Sequence, residues 1–260
     1  MDNFHGSAAP LSQNGFAKTM DALRVDAPTL WALITVETSG FGFLPDRRPK
    51  ILFERHVFHR RTGGRFSALH PDISAPAAGG YLGGAAEYLR LERAMRLDRQ
   101  AALDSASWGL GQIMGYHALR LGYPSTQAMV DSFEASEDEQ LAGVQRFISA
   151  NPPLEKAFKY KQWSRVAFFY NGAGYTRNGY DRNLEHYHDS YTLAGTPDIR
   201  LRQAQAWLTY LGYKPRGIDG IIGPGTRAAL LAFQKAKGLP PTPELDDLTF
   251  AQLAAAANGG

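Results

Sequence analysis

At 260 residues and 28.6 kDa the chain has room for one large domain, or a medium domain with a small one. Hydrophobic residues make up 44% and aromatics 12%, which argues against large-scale disorder. The formal charge of +3, with a pI near 9.0, is a mild basic bias; no Lys/Arg run is dense enough to make nucleic acid the main partner. The absence of cysteine excludes disulfide staples, thiolate nucleophiles and Cys-ligated zinc together.

The opening MDNFHGSAAPLSQNGF lacks a basic stretch followed by an apolar core, so no Sec signal is read there. No apolar run approaches the ~20 residues of a bilayer span. The expectation is a soluble, cytoplasmic product, not inserted in membranes, that needs another factor to reach any substrate outside.

Residues 14–24 place Phe16, Met20 and Leu23 at helical spacing. In VDAPTLWALITVETSG, Asp26 is a good N-cap, Pro28 falls in the first turn, and Gly40 is a stop signal. Residues 49–58, PKILFERHVF, read as a short strand or hairpin. Residues 84–103 form an amphipathic, charged helix with Ala86, Leu89 and Met95 as core candidates, and helical patterns return at 110–121, 138–150 and 160–170. Gly-rich stretches at 63–64 and 79–84 look like loops bordering a groove, or plain surface turns. The seam is DSYTLAGTPD at 189–198, which predicts a first domain over 1–190, a linker at 191–197 and a second domain over 198–260.

Leu30, Leu33, Ile34 and Glu37 fall on one face of the second helix. Desolvation and the negative end of the helix dipole both disfavour a charged carboxylate there, so Glu37 should hold its proton to unusually high pH. A general acid for glycoside cleavage needs that property. The plainer alternative is a helix-end glutamate turned to solvent or paired with Arg47 or Arg48. Further on, SWGLGQIM at 107–114 offers Ser107, a stacking face in Trp108, two glycines for close backbone approach, and the amide of Gln112; it also reads as a glycine-spaced helix start. AFFYNGAGY at 167–175 has Phe168 and Phe169 as core, then Tyr170, Asn171 and Tyr175 at a Gly-rich bend, or simply a helix ending in a turn.

In this order, E-T-S-G, S-x-G-x-x-Q-I-M and F-Y-N-G-x-G-Y resemble the lysozyme-like superfamily, goose-type lysozymes and soluble lytic transglycosylases above all. TVETSGFGFLPDRRPKILFERHVFHRRTGG with SWGLGQIMG is similar to the N-acetylmuramidase domain of bacteriophage endolysins. The resemblance covers about residues 15–190. It implies a mainly α, two-lobed lysozyme-like fold with a small β element and a sugar groove. Within it, Glu37 is the general acid and Ser107, Gln112, Tyr170 and Asn171 line the groove. Glu54 in F-E-R-H is the candidate second carboxylate, against a structural pair with Arg55 or Arg48. Asp46 and Asp181 are weaker candidates. Lytic transglycosylases manage without one, because the sugar's own 6-hydroxyl closes the ring.

The histidines do not read as a zinc site. His56 and His59 are i, i+3 in a predicted strand, on opposite faces; His186 and His188 are i, i+2; no H-E-x-x-H occurs. No metal and no cofactor are expected.

After the seam, Leu201, Ala204, Leu208 and Leu211 form a stripe ended by Gly212. Turns follow at Asp219-Gly220 and Gly223-Pro224, and Thr226 is placed to cap a helix that buries Ala229, Leu230 and Phe233. Leu245, Leu248, Phe250 and Leu253 close the set. Ala204-Gln205 to Tyr213, Asp219 to Thr226, Phe233-Gln234, Gly238-Leu239 and Thr249 to Leu253 resemble the small three-helix peptidoglycan-binding domain. Ala204 replaces a usual Leu, and Pro243-Glu244 a common Gly. Seven basic against five acidic residues leave this segment only +2, so binding should depend on a specific shallow groove. Asp219, Thr226 and Gln234 are its candidate contacts, although Asp219 and Thr226 also suit purely structural turns.

Together these resemblances imply a monomeric modular endolysin, made in the host cytoplasm and released by a holin to the periplasm and wall. There it would hydrolyse the MurNAc-β-1,4-GlcNAc bond of peptidoglycan. A lytic transglycosylase on the same bond, or a virion component that only binds wall, are the alternatives.

Overall fold

In the computed structural model, which describes residues 4–259, the first helix α1 (Gln13–Leu23) starts on Ser12, whose side chain accepts from the Gly15 amide. Phe16 and Leu23 turn inward, as their spacing predicts. Helix α2 (Ala27–Thr38) starts on Asp26, whose carboxylate takes the Thr29 N–H, with Pro28 in the first turn. It ends at Thr38, two residues before Gly40: Ser39 adopts the left-handed cap conformation at φ 55° and its N–H returns to the Thr35 carbonyl. Leu30, Trp31, Leu33 and Ile34 are fully buried because α2 runs through the main core.

The 49–58 segment divides. Ile51–Phe53 form β1, and α3 (Arg55–Arg61) begins two residues later, so HVFH is helical and not a strand. The basic residues that follow, His59, Arg60 and Arg61, sit in the last turn, where the helix dipole favours positive charge. Next come α4 (Glu87–Leu97) and α5 (Arg99–Asp104). Helix α4 buries Tyr88, Leu91 and Ala94, whereas Leu89, expected in the core, is 59% exposed. Its inward face is set by buried Glu87, which accepts from the Phe53 and Gly83 amides and pairs with Arg90 at 2.8 Å.

Strand β2 (Ala106–Trp108) is the middle of a three-stranded antiparallel sheet, between β1 and β3 (Ile113–Met114); Ser107 lies opposite Leu52 on one side and Met114 on the other. The helix expected over 110–121 is absent, replaced by β3 and two 3₁₀ turns, Gly115–His117 and Leu119–Leu121. Glycines at 109, 111, 115 and 122 leave too little helix propensity there. Helices α6 (Thr126–Ala135), α7 (Glu137–Ser149), α8 (Pro152–Lys159) and α9 (Trp163–Asn171) follow. A 3₁₀ turn at Tyr175–Asn178 leads to α10 (Tyr180–Ala194), which packs along α2 and is tied to it by Thr35 and Tyr191 hydroxyls 2.8 Å apart. Because α10 reaches Ala194, residues 191–194 of the expected linker are helical.

Helices α11 (Ile199–Tyr210), α12 (Pro224–Lys237) and α13 (Asp247–Asn258) form a small bundle around Leu208, Leu230, Phe233 and Leu253. The bundle is docked on the first domain. Arg202 of α11, wholly buried, makes a bidentate pair with buried Glu137 of α7 at 2.6 and 2.7 Å and donates Nε–H to the Gly40 carbonyl at 2.9 Å. Ala206 packs against Ala8, Phe41 and Phe43. The Tyr210 hydroxyl donates to the Ala8 carbonyl at 3.0 Å, and Arg47 reaches the Ala257 carbonyl at 2.7 Å. Among the described residues no helix is long and apolar enough to cross a membrane.

Candidate active site

A cleft of about 820 Å³ opens where the end of α2 meets the sheet. Glu37 enters from α2, Glu54 from the β1–α3 junction, Ser107 and Gln112 from the two ends of the β2–β3 turn, and Tyr170, Asn171 and Tyr180 from α9 and α10. Six of the residues singled out in the sequence therefore share one cavity: Glu37, Glu54, Ser107, Gln112, Tyr170 and Asn171.

Glu37 is half-buried in this cavity, and neither of the cations weighed as partners reaches it: Arg47 is on the Ala257 carbonyl and Arg48 pairs with Asp46 at 2.7 Å. Desolvation pushes its carboxyl up to about 7, only partly opposed by the Tyr180 hydroxyl, which donates to its Oε1. A carboxyl titrating near neutrality is poised both to hold and to give up a proton. Tyr180 and Tyr170 are both held well above the usual tyrosine range, by burial first and the Glu37 charge next, so both remain protonated donors. Tyr170 spends its proton on the Gly111 carbonyl at 2.9 Å, which fixes the β2–β3 turn against α9.

Glu54 occupies the N-cap position of α3 without capping it. Its Oε2 accepts from the Tyr81 hydroxyl at 2.8 Å and lies 3.0 Å from His56 Nδ1. The pair with Arg55 or Arg48 does not form, since Arg55 binds the Ala77 and Ala78 carbonyls. The 79–84 loop thus reaches a cleft residue, Glu54, through Tyr81, whose hydroxyl is pushed up to about 12 by burial and by Glu54. Asp46 is occupied by Arg48, and Asp181 accepts from Ser164 at 3.2 Å; neither lines the cavity.

Ser107 donates to Gln112 Oε1 at 2.8 Å, and Gln112 Nε2 donates to the Gly109 carbonyl at 2.9 Å. Gln112 itself is held at φ 48°, a conformation that costs a non-glycine residue of order 1 kcal/mol and persists only where the surrounding structure over-determines it. Trp108 is a correction: it is fully buried, donates its indole N–H to the Leu103 carbonyl at 3.1 Å and packs on Phe4, so it offers no face to sugar. The turn glycines are corrected with it. A Cβ at Gly109 would meet the Gln140 side chain at 2.6 Å, and one at Gly111 would meet Val144 at 2.1 Å, so the close approach they allow is to α7 and not to a ligand. Tyr175 packs against the main core outside the cavity lining, and Phe168, read as core, is 50% exposed.

In the small bundle, Thr226 and Gln234 are buried and therefore cannot touch an external ligand. The Thr226 hydroxyl accepts from Gln205, and Gln234 links Thr249 Oγ1 to the Thr242 amide. Helix α12 starts on Gly223 with Pro224 in its first turn, so Thr226 does not cap it. Asp219 is exposed, but its Oδ1 accepts from Gln205 and from the Ile221 amide, and so shapes the turn.

Two cleft groups had no signal in the sequence. Tyr180 lies 143 residues from Glu37 and belongs to no motif; His117, on the far side, is held down to about 4 by burial and by Arg120, so its imidazole is neutral. Tyr180 carries a test. Its hydrogen bond favours the ionised form of Glu37, so Tyr180→Phe should move the carboxyl further up. The alkaline limb of the pH–rate profile on purified sacculi should shift to higher pH; a limb that stays in place would assign Tyr180 to packing alone.

Residues 26–192 match the N-acetylmuramidase family. The chain belongs to that family. Behind the muramidase domain, residues 199–253 match the family described as "Putative peptidoglycan binding domain". The crystal structure of the Burkholderia AP3 phage endolysin is similar at 40% identity and a TM-score of 0.65, over 75% of this chain and 74% of that one. No curated protein matches. The muramidase domain and its bundle together make a peptidoglycan-degrading enzyme with a wall-binding module.

Proposed function

We propose that the chain is a monomeric modular endolysin that hydrolyses the β-1,4 bond between MurNAc and GlcNAc, with Glu37 as proton donor. The observation that carries this reading is a carboxyl held protonated up to about pH 7 in an open cleft that also contains Glu54. In the reaction, Glu37 gives its proton to the glycosidic oxygen as the C1–O bond breaks. A water molecule adds to C1, and its proton passes to Glu54, whose negative charge also stabilises the oxocarbenium-like transition state. The neighbourhood of Tyr81 and His56 holds that carboxylate in one orientation. The similarity to the Burkholderia AP3 phage endolysin supports a role in host lysis, and access to the wall through a holin is part of the same proposal.

Mass spectrometry of digested muropeptides tests the bond. Hydrolysis leaves reducing MurNAc ends. Anhydro ends would replace the reading with a lytic transglycosylase, and wall binding without new ends would replace it with a virion component. New free amino groups without reducing ends would point to an amidase or peptidase. The role of Glu54 has its own readout: Glu54→Gln should lower kcat by roughly 10²-fold, the lower range of general acid–base contributions, with KM little changed. A loss below a few-fold would reduce Glu54 to a tether for Tyr81.

A further inference from the structure

A second depression, of about 560 Å³, lies between the muramidase domain and the bundle and has no part in the cleft chemistry. Phe41, Phe43 and Tyr213 give it an apolar floor, and Lys50, Lys214 and Arg216 border it. No carboxylate lines it. Glu137, beneath, is committed to Arg202, and the nearby Asp219 is engaged by Gln205 and the Ile221 amide. Lys214 and Arg216 are exposed and make no ion pair among the described residues, while Lys50 Nζ has the Thr38 carbonyl at 2.8 Å. Arg216 is held at φ 68°, a strained conformation for a side-chain-bearing residue.

The same strip of backbone walls both cavities. Ser39, which lines the groove, is two residues beyond Glu37, and the carbonyl of groove residue Lys50 accepts from cleft residue Gln112 at 3.4 Å. The groove is thus a cationic, apolar-floored neighbour of the cleft, suited to an anionic chain branching from a saccharide bound there. Its volume falls in the range of small-ligand sites.

We propose that the inter-domain groove binds the peptide stem of peptidoglycan, a short anionic peptide with small apolar side chains. The assignment rests on the cleft being a muramidase site. The stem carboxylates meet Lys50, Lys214 and Arg216, and its alanine methyl groups lie on the aromatic floor. An extended stem of five residues reaches at most ~17 Å, and the two cavities are joined through the Ser39 and Lys50 backbone. The groove then selects strands that still carry stems and lowers KM without entering the chemical step.

The test compares intact sacculi with glycan strands from which an amidase has removed the stems, scoring new reducing ends. The variant is Lys214→Glu/Arg216→Glu; a control with the same charge change, Lys235→Glu/Lys237→Glu, sits on exposed positions of α12. The groove variant should raise KM on stem-bearing strands by roughly fivefold or more, a rim-charge effect that shrinks with salt. It should behave as wild type on denuded strands, and the control should match wild type on both. Equal losses on the two substrates, an unchanged KM, or the same loss in the control would overturn the proposal. A wild-type protein releasing no reducing ends from either substrate would sink the muramidase reading instead. Titration with free stem pentapeptide, followed by NMR, then reads the groove alone: shifts at residues 213–218 that the groove variant abolishes support it, and their absence rejects it.

Discussion

Glu37→Gln should reduce the release of reducing ends by about 10³-fold or more while leaving the protein folded. The amide is nearly isosteric and can still accept from Tyr180, so the cleft keeps its shape. What is lost is the proton delivered to the leaving oxygen, a contribution of the order of 10²–10⁴-fold for general acids. In the wild type the rate should fall as pH rises through about 7, because the acid is then ionised. Activity of the variant above a tenth of wild type would remove Glu37 from the donor role.

The same substitution has a stability signature of opposite sense. In the folded chain the Glu37 carboxyl is raised to about 7, against an ordinary value of 4.5. Between those values the folded state holds a proton that the unfolded state has released, so stability declines as pH rises through that window. Above it, the folded protein carries a desolvated charge that Glu37→Gln removes. Urea melts should therefore show the variant more stable than wild type by ~1–3 kcal/mol at pH 8, a range reduced for the solvent that reaches the cleft. At pH 4 both side chains are neutral and the difference should vanish. Loss of activity together with a gain in stability is not what a folding defect would produce.

Glu37 was legible because its evidence is local: three apolar residues at helical spacing and a capped start decide which way it points. The order of the three motifs was legible for the same reason, each being a few contiguous residues. Tyr180 was not, since a lone tyrosine 143 residues away acquires meaning only when α10 lies along α2. Trp108 shows the converse failure. Beside a polar serine and followed by a glycine it reads as a binding face, yet neighbouring residues of a strand face opposite sides, so with Ser107 at the cleft Trp108 turns into the core. The bundle was legible down to its stripe of Leu201, Ala204 and Leu208, but its docking was not. Arg202, one residue after Leu201, is indistinguishable in the sequence from a surface cation, and only Glu137 of a distant helix reveals what it does.

Arg202→Ala should cost about 3–5 kcal/mol of unfolding free energy, the usual penalty for leaving one member of a buried ion pair without its partner. Glu137 is fully buried, and besides Arg202 it accepts from the Leu11 and Gly42 amides at 2.8 Å each. Those two bonds cannot neutralise its charge. Glu137→Gln in the Arg202→Ala background should therefore restore part of the loss, because a neutral amide needs no counter-charge; a double-mutant cycle in urea melts measures this coupling. The functional consequence follows from the other end of the same guanidinium. Arg202 donates to the Gly40 carbonyl, three residues past Glu37, so the bundle helps fix the chain just beyond the end of α2. Arg202→Ala should thus lower kcat on denuded, soluble glycan strands, where wall binding contributes nothing. A variant that lost stability yet kept full kcat on such strands would confine Arg202 to joining the two domains.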